Sequence, residues 1–160
     1  MQEDFHKKCC YTDSSEQWFG GITKMEIEHF RPKSKFPELT TSYSNLAYCC
    51  SFANRAKSND YDEKMYLDPC DVDYNEHFSR DDQGNIVPHT DQAKYMYKKL
   101  KLYLERYGIM WMLSALQEKM QILNKRIDEM RDGSEKENLL ALHYKLSKDF
   151  QTYLNYLALN

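Results

Sequence analysis

A carboxylate and an imidazole leave the chain together at Glu28 and His29, at the start of a stretch, residues 27–60, that is rich in groups able to act on a phosphate ester. Asn45 follows sixteen residues after His29, and Asn54 follows nine residues later. An imidazole accepts a proton near neutral pH, so His29 is a candidate general base. The side-chain oxygens of Glu28 and Asn54 are candidate ligands for one Mg²⁺ or Mn²⁺ ion, which would neutralise charge on a phosphate.

The other polar residues of this stretch have supporting roles. Asn45 is predicted to bond loop backbone groups and so to fix the His29 ring, because a short amide both donates and accepts hydrogen bonds. Four basic side chains are predicted to contact phosphates without reading bases: Arg31, Lys33, Arg55 and Lys57. Taken singly, each polar residue is more simply explained as a solvated strand end or a helix cap. The spacing of the whole set favours chemistry.

Local patterns predict the elements that position these groups. Apolar and polar residues alternate over residues 25–29, which predicts a half-buried strand. Residues 45–50 predict a second short strand, and Ser51 can cap a short helix over residues 51–57. The prolines of the intervening loop keep it from becoming a helix. The predicted order is strand, long loop, strand, helix.

This arrangement resembles the ββα-metal fold of HNH endonucleases. In that family an acidic residue and a His end the first strand, an Asn opens the second, and an Asn or His lies on the helix. The segments that carry the resemblance are Glu28-His29-Phe30-Arg31-Pro32-Lys33-Ser34, Asn45-Leu46 and Asn54-Arg55-Ala56-Lys57. The resemblance implies hydrolysis of DNA phosphodiester bonds. Its implied catalytic residues are Glu28, His29, Asn45 and Asn54, of which Glu28 and Asn54 would bind the metal.

Three later segments narrow the resemblance: Leu67-Asp68-Pro69, Glu76-His77-Phe78 and Gly84-Asn85-Ile86-Val87. Together with the first motif they are similar to the HNH subunits of Septu anti-phage systems, the PtuB family, and to HNH effectors associated with retrons. Membership would imply DNA as the substrate, a role in phage defence, and a complex with an ATPase subunit like PtuA. Composition and spacing alone imply none of these.

Composition fits one globular domain, or a core with an appended subdomain, in 160 residues of net charge −3. Residues 24–57 hold six Lys or Arg against three acidic residues, whereas residues 58–91 hold two against ten. The predicted site is therefore locally basic and is followed by an acidic segment. No apolar run has the length of a membrane span, and the first residues lack a signal-peptide core, so we expect a cytoplasmic protein.

The five cysteines fall at Cys9-Cys10, Cys49-Cys50 and Cys70. An odd count without a secretion signal favours reduced thiols. In many HNH proteins two C-x-x-C pairs bind a structural zinc ion. Here Cys9 and Cys50 would open the two pairs, but the closing positions hold Thr12 and Ala53. Because two thiolates do not complete a tetrahedral site, we expect no structural zinc and interpret Cys9 and Cys50 as remnants. That expectation fails only if both side chains of a vicinal pair turn inward.

The rest of the chain predicts a hairpin and three helices. Residues 76–80 and 85–88 flank a turn whose Gly84 suits a positive φ. The first helix is predicted to start at Thr90 or Asp91 and to end at Gly108, since glycine commonly follows a helix end. A second helix then carries a seam of apolar residues with a heptad period: Ile109, Leu113, Leu116, Met120, Leu123, Ile127 and Met130. Ser134 and Glu137 predict the capping box of a third.

The expected fold class is therefore α+β: a small ββα-metal HNH core plus a β-hairpin, followed by a mainly α-helical region. We expect residues 1–90 to form the HNH core with its acidic hairpin segment. Residues 91–160 should form a three-helix region that packs on the core or on a partner. The long seam offers more apolar surface than one helix needs, which predicts a homodimer or a complex with an ATPase subunit.

Three classes of function compete. The first is a metal-dependent HNH endonuclease that cleaves DNA as the effector of an anti-phage complex. The second is a catalytically degenerate HNH fold that binds nucleic acid or serves as a scaffold, a hypothesis that the missing zinc ligands favour slightly. The third is a helical interaction module whose first third only stabilises the fold. The complete set of Glu28, His29, Asn45 and Asn54 favours the first.

Overall fold

A computed structural model describes residues 1–159 of the protein. Strands β1 (Met25–His29) and β2 (Leu46–Cys50) pair antiparallel, and helix α1 (Ser51–Lys57) follows β2 without a loop. The alternation of apolar and polar residues in β1 and the short apolar run in β2 predict these strands at nearly the same bounds. This β–β–α unit is the arrangement that the HNH resemblance predicts.

The long loop between β1 and β2 contains two single turns of 3-10 helix, Pro37–Leu39 and Tyr43–Asn45. Asn45 therefore ends a turn immediately before β2 and does not belong to the strand. At the start of α1, Cys50 occupies the cap position and no side chain caps the helix. The predicted cap Ser51 lies one residue inside, so that prediction is wrong by one position.

The predicted hairpin is present as β3 (Phe78–Arg80) and β4 (Ile86–Pro88), which pair antiparallel. Gly84 has a φ of +79° in the connecting turn, as its type predicts. The Arg80 guanidinium donates to the Gly84 carbonyl over 2.7 Å and also to the Thr12 carbonyl. Burial lowers the pKa of Arg80 to about 10. This side chain joins the hairpin to the N-terminal loop.

Three longer helices follow: α2 (Asp91–Lys99), α3 (Glu105–Glu129) and α4 (Ser134–Leu159). The Thr90 hydroxyl accepts a hydrogen bond from the Ala93 amide, which confirms Thr90 as the predicted cap of α2. Helices α3 and α4 pack against each other after the short connection at Gly133.

The predicted end of α2 at Gly108 is wrong. The helix ends at Lys99, after which the chain turns so that Leu100 and Leu102 are both buried. Gly108 lies in the first turns of α3, where a β-carbon would come within 2.7 Å of the Asn85 side-chain oxygen. Glycine is therefore favoured there because the β3–β4 turn packs directly on α3, and not because a helix ends.

One core joins the sheet, the N-terminal loop and the helices. Tyr48 and Cys50 of β2 pack in the same cluster as Met96, Leu100 and Tyr107. The fold is α+β, as predicted, with two small antiparallel sheets and a helical C-terminal region. The division of the chain near residue 90 stays a prediction. None of the helices formed by residues 1–159 has the length and apolar character needed to span a membrane.

The outer part of the α3–α4 pair leaves apolar side chains in solvent. Ile122 is 62% exposed and Leu142 is 44% exposed, and they line a shallow apolar depression together with Leu123 and Leu146. The predicted seam residues Leu113, Leu116 and Ile127 are instead buried. These seam residues thus pack within the chain, whereas Leu123 of the same seam is half-buried and borders the depression beside Ile122.

Candidate active site

Asn45 organises the loop between β1 and β2. Its side-chain oxygen accepts from the Arg31 amide over 2.8 Å, and its amide nitrogen donates to the carbonyls of Arg31 (3.0 Å) and Leu39 (3.3 Å). The Asn45 carbonyl also accepts from the Phe30 amide. Asn45 is fully buried, so these bonds close the loop onto the end of β1. The geometry agrees with the structural role expected of this residue.

The loop in turn holds the His29 ring. The His29 Nε2 lies 2.9 Å from the Thr40 carbonyl oxygen, and Thr40 directly follows the Leu39 that Asn45 holds. A carbonyl oxygen only accepts, so Nε2 carries the proton in this contact and Nδ1 has the free lone pair. His29 is half-buried. Its ring is oriented by the contact with Thr40, which leaves Nδ1 as the proton acceptor.

Glu28, the neighbour of His29, faces the interior. Its Oε1 lies 2.6 Å from the Lys57 Nζ, and its Oε2 accepts a hydrogen bond from the Tyr11 hydroxyl over 2.5 Å. Glu28 is 3% exposed and Lys57 is 1% exposed. Burial, followed by the nearby Glu28 charge, raises the pKa of Tyr11 well above its usual value, so Tyr11 stays a protonated donor.

The buried ammonium group of Lys57 is stabilised by several neighbouring groups. Besides the ion pair with Glu28, Lys57 Nζ donates to the His29 carbonyl over 3.3 Å. It also lies 5.9 Å and 5.6 Å from the ring centres of Phe30 and Tyr66. Aromatic faces attract a desolvated ammonium group. The end of α1 is therefore pinned to the end of β1, directly behind the His29 backbone.

These positions do not fit two of the roles predicted from the sequence. Lys57 is predicted to bind phosphate, but its ammonium is enclosed and cannot reach one. Glu28 is predicted to bind the metal, but its carboxylate is enclosed and its charge is already balanced by Lys57. We therefore interpret the Glu28–Lys57 pair as a positioning device for β1 and α1.

Asn54 lies on α1 beside a different carboxylate. Its amide nitrogen donates to Glu26 Oε2 over 2.5 Å, and both residues are partly exposed. Glu26 and Glu28 are two residues apart in β1, so they project from the same face of the strand. A carboxylate and an amide oxygen are the donors that Mg²⁺ and Mn²⁺ prefer. Glu26 is more accessible than Glu28 to a hard divalent ion. Asn54 would add its amide oxygen to such a site only with its amide turned over, because its nitrogen faces Glu26 here.

The remaining basic residues lie nearer the surface. Lys33 and Arg55 are exposed, whereas Arg31 is partly buried and its Nε donates to the Tyr61 hydroxyl over 3.2 Å. Lys33 and Arg55 can therefore approach a phosphate freely. Arg31 keeps part of its guanidinium engaged within the protein.

Removal of the Asn45 amide tests this description of the loop. Asn45→Ala should lower the free energy of unfolding by about 2 kcal/mol or more, because a buried backbone group left without a partner costs about 1–3 kcal/mol. Asn45→Asp should not restore stability, since a carboxylate accepts from Arg31 but cannot donate to two carbonyls. Urea unfolding measures both values. Wild-type stability in the Asp variant would show that the two donated bonds contribute nothing.

A second group of possible metal ligands lies behind the sheet. The sulfur atoms of Cys9, Cys49 and Cys50 all lie within 4.8 Å of one another, and the three residues are buried. Burial raises the pKa of the Cys9 thiol, but hydrogen bonds from Cys10, Cys49 and Cys50 outweigh it and hold that pKa well below its usual value.

Sequence reasoning missed three contributors to the site. Glu26 was detectable, because the period of two in β1 places it on the Glu28 face. Thr40 and Tyr11 act through a backbone carbonyl and a long-range contact, and neither leaves a signal in the local sequence.

Two curated proteins are similar to this chain. It is 28% identical over 108 residues to "Retron Vc95 putative HNH endonuclease" of Vibrio cholerae serotype O1 biovar El Tor, a match that covers 63% of this chain and 53% of the relative. It is 27% identical over 134 aligned residues to "Septu protein PtuB" of Bacillus mycoides (strain KBAB4), a match that covers 64% of this chain and 44% of that relative. The chain spans about half the length of the curated relatives it matches. No protein-family model and no solved structure matches it.

The two names agree with the resemblance to retron HNH effectors and to the PtuB family that the sequence motifs show. The similarity makes the chain a distant relative of a putative HNH endonuclease of a retron and of a Septu PtuB protein.

Proposed function

We propose that this chain is an HNH endonuclease that hydrolyses DNA phosphodiester bonds with the help of a divalent metal ion, as the effector of an anti-phage defence complex. The observation that carries the proposal is the state of His29. The Thr40 carbonyl binds its Nε2 proton, so Nδ1 is left to accept a proton from water. The name of the retron relative, a putative HNH endonuclease, supports the same activity.

The chain's own residues divide the work. His29 removes a proton from the attacking water, and Asn45 holds the loop that orients the ring. Asn54 and Glu26 would hold Mg²⁺ or Mn²⁺, which would supply neutralisation of charge on the phosphate and the leaving oxygen. Lys33 and Arg55 bind the DNA backbone through its phosphates.

The proposed partner is an ATPase subunit, as the similarity to a Septu PtuB protein suggests. Ile122, Leu142 and their exposed apolar neighbours on α3 and α4 support a protein contact on this side of the molecule. A second copy of the chain is the other candidate occupant of that surface.

A second function has one observation in its favour. Glu28 is enclosed by Lys57 and Tyr11, so one of the two metal ligands predicted from the sequence is not available. A chain that has lost its metal site would bind nucleic acid or act as a scaffold without cutting. The presence of Glu26 beside Asn54 argues against this loss.

A metal titration of plasmid cleavage tests the proposal. Asn54→Ala and Glu26→Gln should each raise the Mg²⁺ or Mn²⁺ concentration needed for half-maximal cleavage, because the first removes an oxygen ligand and the second replaces a charged carboxylate by a weaker neutral donor. Glu28→Gln should instead lower the thermal midpoint and leave that metal concentration unchanged in the protein that stays folded. The opposite pattern, with a shifted metal requirement for Glu28→Gln alone, would return the ion to the predicted Glu28 site. A wild type that cleaves no plasmid at any metal concentration would favour the scaffold function.

A further inference from the structure

Arg80 carries a positive charge that no ion pair within residues 1–159 balances. The side chain stands at the end of β3 and is partly buried. Its Nη1 donates to the carbonyls of Gly84 and Tyr107, over 2.7 Å and 3.4 Å, and its Nη2 donates to the Thr12 carbonyl. These carbonyls hold the guanidinium in place but carry no net charge. The ion pairs of the described chain do not include Arg80.

The two carboxylates whose charges act on Arg80 are bonded elsewhere. Asp81 accepts hydrogen bonds from two backbone amides of the β3–β4 turn. Asp13 pairs with Lys8 over 3.0 Å. Burial is the main cause of the lowered pKa of Arg80, and the charges of Asp13 and Asp81 offset it only in part. Because a cation that is removed from water without a close counter-ion is costly, an anionic ligand would stabilise it.

The guanidinium has donors left for such a ligand. Arginine has five N–H groups in a planar fork, and the three carbonyls take three of them. Nε and one N–H of Nη2 make no hydrogen bond within the part of the chain that the structure describes. Hydrogen bonds from a guanidinium to a carboxylate are strong and often form in pairs. One carboxylate therefore matches the free donors of Arg80 in number and in charge.

Arg80 lines a groove of about 1010 Å³ between the N-terminal loop, residues 69–75 and the β3–β4 hairpin. This volume is near the upper end of the usual range for small-molecule sites, about 300–1,000 Å³. Phe78 lies on the same face of β3 as Arg80, and Ile86 pairs with Arg80 across the hairpin. The guanidinium lies 6.0 Å from the Trp111 ring centre. Apolar groove walls therefore adjoin the cation.

The rim of the groove limits the kind of anion that can enter. Asp4, Asp13 and Asp73 line it, and like charges repel a polyanion such as nucleic acid. Lys8, which also lines the groove, is already paired with Asp13. Among the described residues of the wall, Arg80 is thus the one Arg or Lys without an ion pair. The groove therefore favours a ligand with a single negative charge.

We propose that this groove binds an organic carboxylate, with its charged group on Arg80 and its apolar body against Phe78, Ile86 and Trp111. A link between the hairpin and the N-terminal loop alone would not require a charge, since neutral amide donors satisfy carbonyls without burial of a cation. A free organic acid and the terminal carboxylate of a peptide present the same chemistry. The proposal does not depend on nuclease activity.

Fluorescence titration of the full chain with 8-anilinonaphthalene-1-sulfonate tests the site, with the sulfonate in place of a carboxylate. The neutral dye N-phenyl-1-naphthylamine has the same apolar body. The anionic dye should bind about tenfold more tightly or better, because a hydrogen bond to a charged group contributes at least that factor. Arg80→Gln should lose this preference. Ile122→Glu, which places a charge in the apolar depression of α3 and α4, is the matched control and should keep it.

Competition with the bound dye identifies the ligand. Decanoate should displace the anionic dye and decanol should not. A short apolar peptide with a free terminal carboxylate, compared with the same peptide as its amide, tests a peptide as the source. Displacement by either acid supports the proposal and assigns the source, whereas displacement by neither acid would overturn it.

Alkylation of Cys70 keeps the proposal testable if Arg80→Gln fails to fold. Cys70 is exposed and lines the same groove, so saturating anionic dye should slow its reaction with iodoacetamide in the wild type. Cys70→Ser measures the reaction of the other cysteines. An unchanged alkylation rate would overturn the proposal. Equal affinity for the two dyes, or a folded Arg80→Gln variant with wild-type affinity for the anionic dye, would do the same.

Discussion

His29→Ala is expected to lower the rate of DNA cleavage by about 10²–10⁴-fold, the usual contribution of a general base. The imidazole makes one hydrogen bond, to the Thr40 carbonyl, so loss of the ring should lower the free energy of unfolding by only about 1 kcal/mol. The DNA affinity should not change, because a neutral imidazole adds little to phosphate binding. Single-turnover cleavage of a plasmid at saturating protein measures the rate, and a binding titration measures the affinity.

Arg55→Ala is the matched control for His29→Ala. It removes an exposed charge from α1, so it should weaken DNA binding and reduce its salt dependence. At saturating protein its cleavage rate should stay near that of the wild type. If His29→Ala cleaves as fast as the wild type under these conditions, His29 is not the base.

Lys57→Ala is expected to destabilise the fold by about 3–5 kcal/mol, since it leaves the buried Glu28 carboxylate without its cation. The side chain also holds the His29 carbonyl and packs against Phe30 and Tyr66, so its loss loosens the contact between α1 and β1. Urea or thermal unfolding measures the loss. Arg55→Ala, two residues earlier on the exposed side of α1, should change stability by no more than about 0.5 kcal/mol.

A double variant separates the charge pair from the packing. Glu28→Gln with Lys57→Met removes both charges and should recover a large part of the stability that Lys57→Met alone loses, because no unpaired charge is left inside. Equal stability of Lys57→Met and the wild type would contradict the buried ion pair. So would a Lys57 variant that folds normally and only binds DNA more weakly.

Elements with a strong local pattern were predictable from the sequence. The alternation in β1, the short apolar run of β2 and the Gly84 turn each predict an element that the structure contains near the same bounds. Gly108 shows the limit of this reasoning. A glycine near a helix end and a glycine under a packed turn have the same local sequence, and only the contact with Asn85 distinguishes them.

The site was predictable where a role depends on residues near in sequence. Asn45 serves the loop that precedes it, so its structural role could be inferred. Glu28 could not be interpreted correctly without knowing that Lys57 folds back onto it, twenty-nine residues later. A carboxylate next to a histidine looks like a metal ligand until the partner that encloses it is known.

The cysteines illustrate the same limit. The spacing of Cys9 and Cys50 to Thr12 and Ala53 suggests an incomplete site. Only the strand–helix junction shows that Cys49 faces the same side as Cys50.

The most direct test of the central claim is cleavage of supercoiled plasmid by the wild-type chain with Mg²⁺ or Mn²⁺, alone and together with a co-expressed ATPase subunit from its native gene neighbourhood. The nuclease proposal predicts nicked or linear plasmid that forms in the presence of the divalent ion and not in EDTA. Plasmid that stays intact with every ion, with and without the partner, would contradict it, and so would cleavage that proceeds equally in EDTA.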